Sequence, residues 1–232
     1  MIEILTILKL ALFKMHNGLM SVYYYIAGSD GSGKTTLLKD LEIELNKKGC
    51  STRHVWIRSP KILSKPLMAY CRLIGLIKYT TIGGVEYCKR ELFRSRFVSY
   101  IFPILQLIDF KIKWYFQKIK INMEDTVLFD RFSLDTLADL MVDTKRMDLH
   151  KSWIGREFLR LVPEHNRIII LKADEEVIRK RKLDTLYDEQ LKDKIMVYKL
   201  LSEDLSIKLI ENNMEYLDVK NQVIKYMLYG KI

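Results

Sequence analysis

The hydrophobic pattern of the chain switches repeatedly between short apolar runs and helical periodicity. Val22 to Ala27 is a β-branched and aromatic run that ends at glycine, which predicts a buried strand. Behind Thr35 and Thr36, Leu37, Leu38, Leu41 and Leu45 recur at helical spacing, with Gly49 as the stop. Thr52 to Ile57 reads as a second strand, ended by Ser59 and Pro60. Residues 61 to 120 read as helices with apolar faces, including Leu67, Met68, Leu73 and Leu76, then Phe102, Leu105, Ile108, Trp114 and Phe116. Thr126 to Phe129 and Arg167 to Leu171 predict two more buried strands, and Met214 to Leu217 a fifth. Strands alternating with helices argue for an α/β fold, a five-stranded parallel sheet with right-handed crossovers and helices on both faces.

Composition narrows this to a single folded domain. With 232 residues, 49% hydrophobic and 29% charged, the chain has a core to bury and too little length for two ordinary domains. The apolar run in residues 1–20 is interrupted by Glu3, Lys9 and Lys14, so it fits neither a spanning helix nor a signal peptide. A packed helix, a membrane-surface helix and an extension upstream of Met20 remain as its readings; the domain proper runs 21–232. Cys50, Cys71 and Cys88 are odd in number and form no C-x-x-C pair, which points to the reducing cytoplasm. A formal charge of +10 suits polyanionic ligands. No nucleic-acid-binding motif accompanies it, and nucleic acid is not an expected partner. Trp114, Tyr115 and Phe116 among Lys111, Lys113, Lys118 and Lys120 keep peripheral membrane contact open.

The chemistry begins at Gly28-Ser29-Asp30-Gly31-Ser32-Gly33-Lys34-Thr35, followed by Thr36. It matches G-x-x-x-x-G-K-[ST] between a predicted strand and a predicted helix. Glycines let successive backbone N–H groups and the helix N-terminus face phosphate. Lys34 is expected on the β- and γ-phosphates of ATP, and the Thr35 hydroxyl on Mg²⁺. Asp130 and Arg131 follow the third strand, at the carboxyl edge where open α/β sheets bind ligands. A carboxylate there can hold Mg²⁺, and an arginine can clamp phosphate.

Four signals in order resemble the thymidylate kinase family, a group of P-loop three-layer sandwich enzymes: the loop itself, Arg58-Ser59-Pro60, Asp130-Arg131-Phe132, and the basic run Arg179-Lys180-Arg181-Lys182. The resemblance runs from about Ser21 to the C-terminus. It implies that Asp30 touches the acceptor sugar, that Arg58 and Arg131 hold its phosphate, and that Asp130 serves the metal centre. Arg179 or Arg181, in a lid at about 179–190, would serve the transferring group, and residues 61–120 would be the acceptor-side helices. A homodimer is also within what it implies. Where members carry Ser, Tyr and Gln this chain has Asp135, Asp139 and Leu140, and its acceptor-side helix reads Leu107-Ile108-Asp109-Phe110. Asp135 and Asp139 share one face at helical spacing, so an acidic acceptor pocket that reads hydroxyls is expected.

The expectation is therefore ATP- and Mg²⁺-dependent phosphoryl transfer to a small phosphate or hydroxyl acceptor, with dTMP the default by resemblance. The alternatives are a kinase for a sugar-like or lipid-linked acceptor, and a slow nucleotide-binding regulatory protein.

Overall fold

A computed structural model of the chain describes residues 22–82, 84–122, 125–163 and 167–230, so the readings of residues 1–20 lie outside the described residues. The strands are β1 (Val22–Ala27), β2 (Thr52–Val55), β3 (Ile77–Ile82), β4 (Val85–Arg90), β5 (Thr126–Asp130), β6 (Ile168–Lys172) and β7 (Lys208–Glu211). Five of them form an all-parallel sheet in the order β2-β5-β1-β6-β7, and β3 and β4 form a separate hairpin. The helices are α1 (Lys34–Lys47), α2 (Lys65–Leu73), α3 (Arg96–Ile119), α4 (Ser133–Thr144), α5 (Trp153–Leu159), α6 (Glu175–Arg181), α7 (Leu191–Leu205) and α8 (Tyr216–Tyr229).

Successive side chains of β1 point to opposite faces, and both faces are apolar because a parallel sheet carries helices on each side. Tyr24 and Ile26 pack with Leu37, Leu38, Leu41 and Leu45 of α1 and with Val219, Val223 and Met227 of α8. Tyr25 and Ala27 face the other way, into a core shared with Phe110 of α3, Leu137 and Met141 of α4, and Val197 and Leu201 of α7. The helical leucines read from the sequence are thus the inner face of α1. Each fully buried leucine of that row contributes about 1.5–3 kcal/mol through the area it removes from water.

Three sequence expectations are corrected. Residues 61–120 are not wholly helical: Ile77–Arg90 is an antiparallel hairpin, Tyr79 opposite Cys88 and Thr80 opposite Tyr87. The signal is there in Ile77-Lys-Tyr-Thr-Thr-Ile and Val85-Glu-Tyr-Cys-Lys-Arg, two runs rich in β-branched and aromatic residues around Gly83-Gly84. The fifth strand is Lys208–Glu211, not Met214 to Leu217. It is an edge strand with one well-buried residue, Ile210, so its apolar signal is faint; the later segment instead opens α8. The second strand ends at Val55, two residues short of the expected Ile57, and the Ile57 N–H donates to the Arg131 carbonyl at 2.9 Å beyond the sheet's own ladder.

Because all five strands run parallel, the carboxyl ends of β1, β5 and β6 lie along one edge. The loop after β1 and the turn after β5 face each other there.

Candidate phosphate and acceptor site

The loop after β1 depends on glycine at specific points. Gly33 has φ 96°, and a Cβ there would lie 2.5 Å from the Asn212 side-chain nitrogen. At Gly28 a Cβ would lie 2.3 Å from the Leu171 carbonyl oxygen. The loop is therefore pressed against the ends of β6 and β7, and any side chain at either position must push it away. Asn212 holds it from that side, its side-chain amide donating to the Ser32 carbonyl at 2.8 Å. Ser29 and Ser32 are buried, Gly31 has φ 77°, and Thr36 is exposed in the first turn of α1.

Lys34 is buried inside this loop, its ammonium donating to the Ser29 carbonyl and, at 3.4 Å, to Ser32 Oγ. Burial, and then repulsion from Arg131, lower its pKa to about 7. A phosphate would meet a cation that the fold has already stripped of water.

Thr35 Oγ1 donates to Asp130 Oδ2 at 2.9 Å, bringing together the hydroxyl and carboxylate that the sequence assigns to a metal. Among the described residues no three His, Cys, Asp or Glu side chains gather into a metal-holding group. Mg²⁺ at phosphates needs no such group, since one or two protein oxygens suffice and phosphate and water supply the rest. The pair fits that ion.

Arg131 sits next to Asp130 in a left-handed backbone conformation, φ 73°, uncommon for a side-chain-bearing residue and often retained at functional sites. Its guanidinium donates to the Gly28 carbonyl at 2.8 Å and to Asp135 at 3.2 Å, and it also pairs with Asp30. Asp30 is shared with Arg58, whose Nη1 reaches its other oxygen at 2.7 Å. Burial would raise the Asp30 carboxyl, but Arg131, Arg58 and Lys34 outweigh it and hold the pKa well below the usual carboxylate range. Arg58 also makes a bidentate pair with Asp139, at 2.9 and 3.2 Å.

Asp135 and Asp139, expected together on an acceptor-facing stripe, occupy different levels. Asp135 is fully buried beneath the loop. Its Oδ1 accepts from the Tyr198 hydroxyl at 2.6 Å, from Arg131 and from the Gly28 N–H, while Oδ2 accepts from the Tyr25 hydroxyl at 2.6 Å and the Phe132 N–H at 3.1 Å. It ties β1, the loop after β1, the β5–α4 turn and α7 together. Asp139 is one turn further, pairs with Arg58 and borders a cavity of about 350 Å³. Asp143, a turn beyond, pairs with Arg90 of β4 at 3.1 Å and borders the same cavity; burial raises its pKa despite that arginine. None of the three faces bulk solvent.

The basic run after β6 lies on α6 and the turn that follows it. Arg179 is taken up locally, pairing with Glu175 and donating to the carbonyls of Thr185, Leu186 and Asp188, so it fastens the 183–190 turn to the helix. Arg181 is exposed. The basic side chain brought to the loop is Lys182, whose ammonium is 3.9 Å from Asp30 and 3.0 Å from Asp184.

Several working residues give no clear sequence signal. Tyr25 lies within a predicted buried strand and Tyr198 in no motif, yet their hydroxyls hold Asp135. Asp109 of α3 is fully buried and accepts from the N–H groups of Ile62, Leu63 and Ser64 and from Ser64 Oγ, at 2.6 to 3.0 Å. It fixes the segment that carries Lys61 and leads into α2. These N–H groups lie in the turn before α2, and the carboxylate supplies them with an acceptor; it comes from a distant helix, so no local motif announces it.

Among the described residues no helix is long and apolar enough to cross a membrane. A scan against protein-family models finds no match for this chain, and neither does a search of curated proteins.

Proposed function

We propose that the chain is a P-loop kinase that passes the terminal phosphoryl group of Mg-ATP to a small acceptor. The observation that carries the reading is the hydrogen-bonded Thr35–Asp130 pair beside a glycine-dependent loop with a buried lysine at its centre. A hydroxyl and a carboxylate 2.9 Å apart, at the start of the helix that follows the glycine-dependent loop, suit a nucleoside triphosphate and its Mg²⁺ better than a structural turn.

The loop N–H groups and Lys34 hold the β- and γ-phosphates. Thr35 and Asp130 would hold Mg²⁺, which when bound neutralises charge on those phosphates. Arg131 and Arg58, both paired with Asp30, form the positively charged wall between the loop and the acceptor, and Lys182, 3.9 Å from Asp30, is the basic side chain available to the transferring group. Asp30 orders both guanidiniums. With its pKa held so low it is a weak base, so its contribution is position rather than proton abstraction. Such a division of labour suits phosphoryl transfer, which asks for alignment and charge neutralisation more than covalent catalysis.

The resemblance to thymidylate kinases makes dTMP the default acceptor. The test is ADP release and acceptor labelling by the purified chain with γ-labelled ATP and Mg²⁺, with and without acceptors. The reading requires acceptor-stimulated turnover that Lys34→Ala lowers more than tenfold, a loss of over ~1.4 kcal/mol in transition-state stabilisation. Turnover indifferent to every acceptor, or to Lys34, would refute it.

A further inference from the structure

The cavity of about 350 Å³ beside Arg58 is large enough for a nucleoside or a sugar, so its lining must decide between them. Its floor is Asp139 and Asp143 of α4, and its walls carry Arg90 of β4, Lys61, Gln190 and Lys194. Among the described residues no aromatic ring lines it. A nucleobase is ordinarily held by stacking on a flat side chain, at about 1–3 kcal/mol per base, and by apolar walls. This cavity offers charges and one amide instead.

The charges are unequal. Arg58 and Arg90 pair with the lining carboxylates Asp139 and Asp143, and Lys194 with the neighbouring Asp188, which leaves Lys61 as the lining cation with no carboxylate partner among the described residues. Arg58 is consumed by Asp30 and Asp139. Arg90 spends one guanidinium nitrogen on Asp143, and Lys194 makes one bond to Asp188 at 2.7 Å, so both keep donors to offer. Lys61 makes no ion pair among the described residues; burial, then Arg90 and Arg72, push its pKa down. An anion placed among these three side chains relieves that repulsion. The carboxylates and the Gln190 amide retain lone pairs that suit hydroxyl groups.

The walls are also held in place before any ligand arrives. Asp109 and Gln106 of α3 fix the segment bearing Lys61, with Gln106 donating to the Pro60 carbonyl at 3.0 Å. Gln190 donates to the Arg90 carbonyl at 2.9 Å, joining the hairpin to the turn after α6. Preorganisation of this kind lowers the entropic cost of binding.

We propose that the acceptor is a polyhydroxylated anion, a sugar phosphate or a sugar acid, whose anionic group docks among Lys61, Arg90 and Lys194 while its hydroxyls meet Asp139, Asp143 and Gln190. This rests on the kinase reading above. An acceptor oxygen bonds to the γ-phosphorus of ATP as the bond to the β–γ bridging oxygen breaks. ADP leaves with that electron pair, and a hydroxyl acceptor gives its proton to solvent.

The experiment pairs turnover with binding. ADP release is measured for hexose phosphates, hexuronic acids, the matching neutral hexoses and dTMP, using the full chain with Mg-ATP. At least one anionic sugar is expected to exceed both its neutral hexose and dTMP tenfold or more in kcat/KM; phosphates against uronic acids then tell which anion is used. Lys61→Glu, at an exposed position, is expected to raise KM for that acceptor at least tenfold while moving KM for ATP less than twofold. Calorimetric titration of the same sugars into wild type and Lys61→Glu reads the anion site without turnover. Best activity with dTMP, or Lys61→Glu without effect on anionic-sugar binding, overturns the proposal and leaves the kinase reading standing. Failure to bind Mg-ATP or to release ADP with any acceptor overturns the kinase reading itself, while sugar binding by calorimetry still reports on the cavity.

Discussion

Lys34 shows how a single residue trades stability for chemistry. Its ammonium is buried, with a pKa lowered to about 7 by burial first and Arg131 second, against 10.5 for an unperturbed lysine. Between those values the unfolded chain binds more protons than the folded one, so this group makes ligand-free stability rise with pH from about 7 to about 10.5. Removing the charge should relieve the strain: Lys34→Met is expected to keep or raise the melting temperature of the ligand-free protein while abolishing turnover. Phosphate binding restores a partner and raises the pKa, so the complex holds a proton that the free protein loses above pH 7. Affinity for Mg-ATP should accordingly fall by up to tenfold per pH unit above about pH 7, as read by calorimetry. Lys34→Arg, which does not titrate, should lose the part of the slope that this lysine contributes.

Asp135 makes the opposite contribution, since every partner it has lies inside the protein. Asp135→Ala leaves two buried tyrosine hydroxyls and two backbone N–H groups without their acceptor and removes one of the two carboxylates that pair with the Arg131 guanidinium. The expected loss is about 3–5 kcal/mol, by analogy with breaking buried ion pairs. Chemical denaturation would show it as a lowered midpoint; a change within ~0.5 kcal/mol would contradict a structural role for this carboxylate.

Elements explain which parts of the site are legible in the sequence. The positions of the loop after β1, of Asp130 and of Arg131 can be read because a strand, a turn and a helix fix them locally, and the local sequence carries that signal. The helical spacing of Asp135 and Asp139 puts them on one face, as the structure has them, but spacing says nothing of their depth. Depth comes from Tyr25, Tyr198 and Arg58, which arrive from other elements. The hairpin is masked because the apolar residues around it belong to real helices on both sides, and only its Gly-Gly turn marks it off. Asp109 stands out in the sequence only as a departure from the family's helix, because its partners lie 45 to 47 residues earlier in the chain.

At the same scale, the turn after α6 assigns different jobs to neighbouring basic residues. Arg179 secures the turn by bonding its carbonyls, whereas Lys182 lies between Asp184 and Asp30 at the edge of the loop. Lys182→Ala should therefore lower kcat more than it raises KM for ATP, the mark of an interaction made mainly in the transition state. Arg181→Ala should have less effect than Lys182→Ala on both constants. Equal effects, or a loss confined to KM in the Lys182 variant, would assign the transferring charge elsewhere.

At the scale of the whole molecule, the parallel sheet brings two distant stretches of chain to one edge. Thr35 and Asp130 are 95 residues apart and bonded. Arg58 spans from Asp30 to Asp139, linking the loop after β1 to the cavity beside α4. Fold class follows from the alternation of strands and helices alone, whereas the lining of the cavity requires the hairpin, the Lys61 segment and α7 to be in place. That difference is physical: alternation is a local property, and a cavity is assembled from segments that share no sequence signal.

The most direct test is single-turnover transfer from γ-labelled ATP by the full chain with Mg²⁺ and the acceptor panel, comparing wild type with Asp130→Ala. The account predicts label on an acceptor, ADP as the other product, and a loss of at least about a hundredfold, ~2.7 kcal/mol, when Asp130 no longer completes the pair with Thr35. Label that remains in ATP with every acceptor, or that passes only to inorganic phosphate, or transfer unchanged in Asp130→Ala, would contradict it.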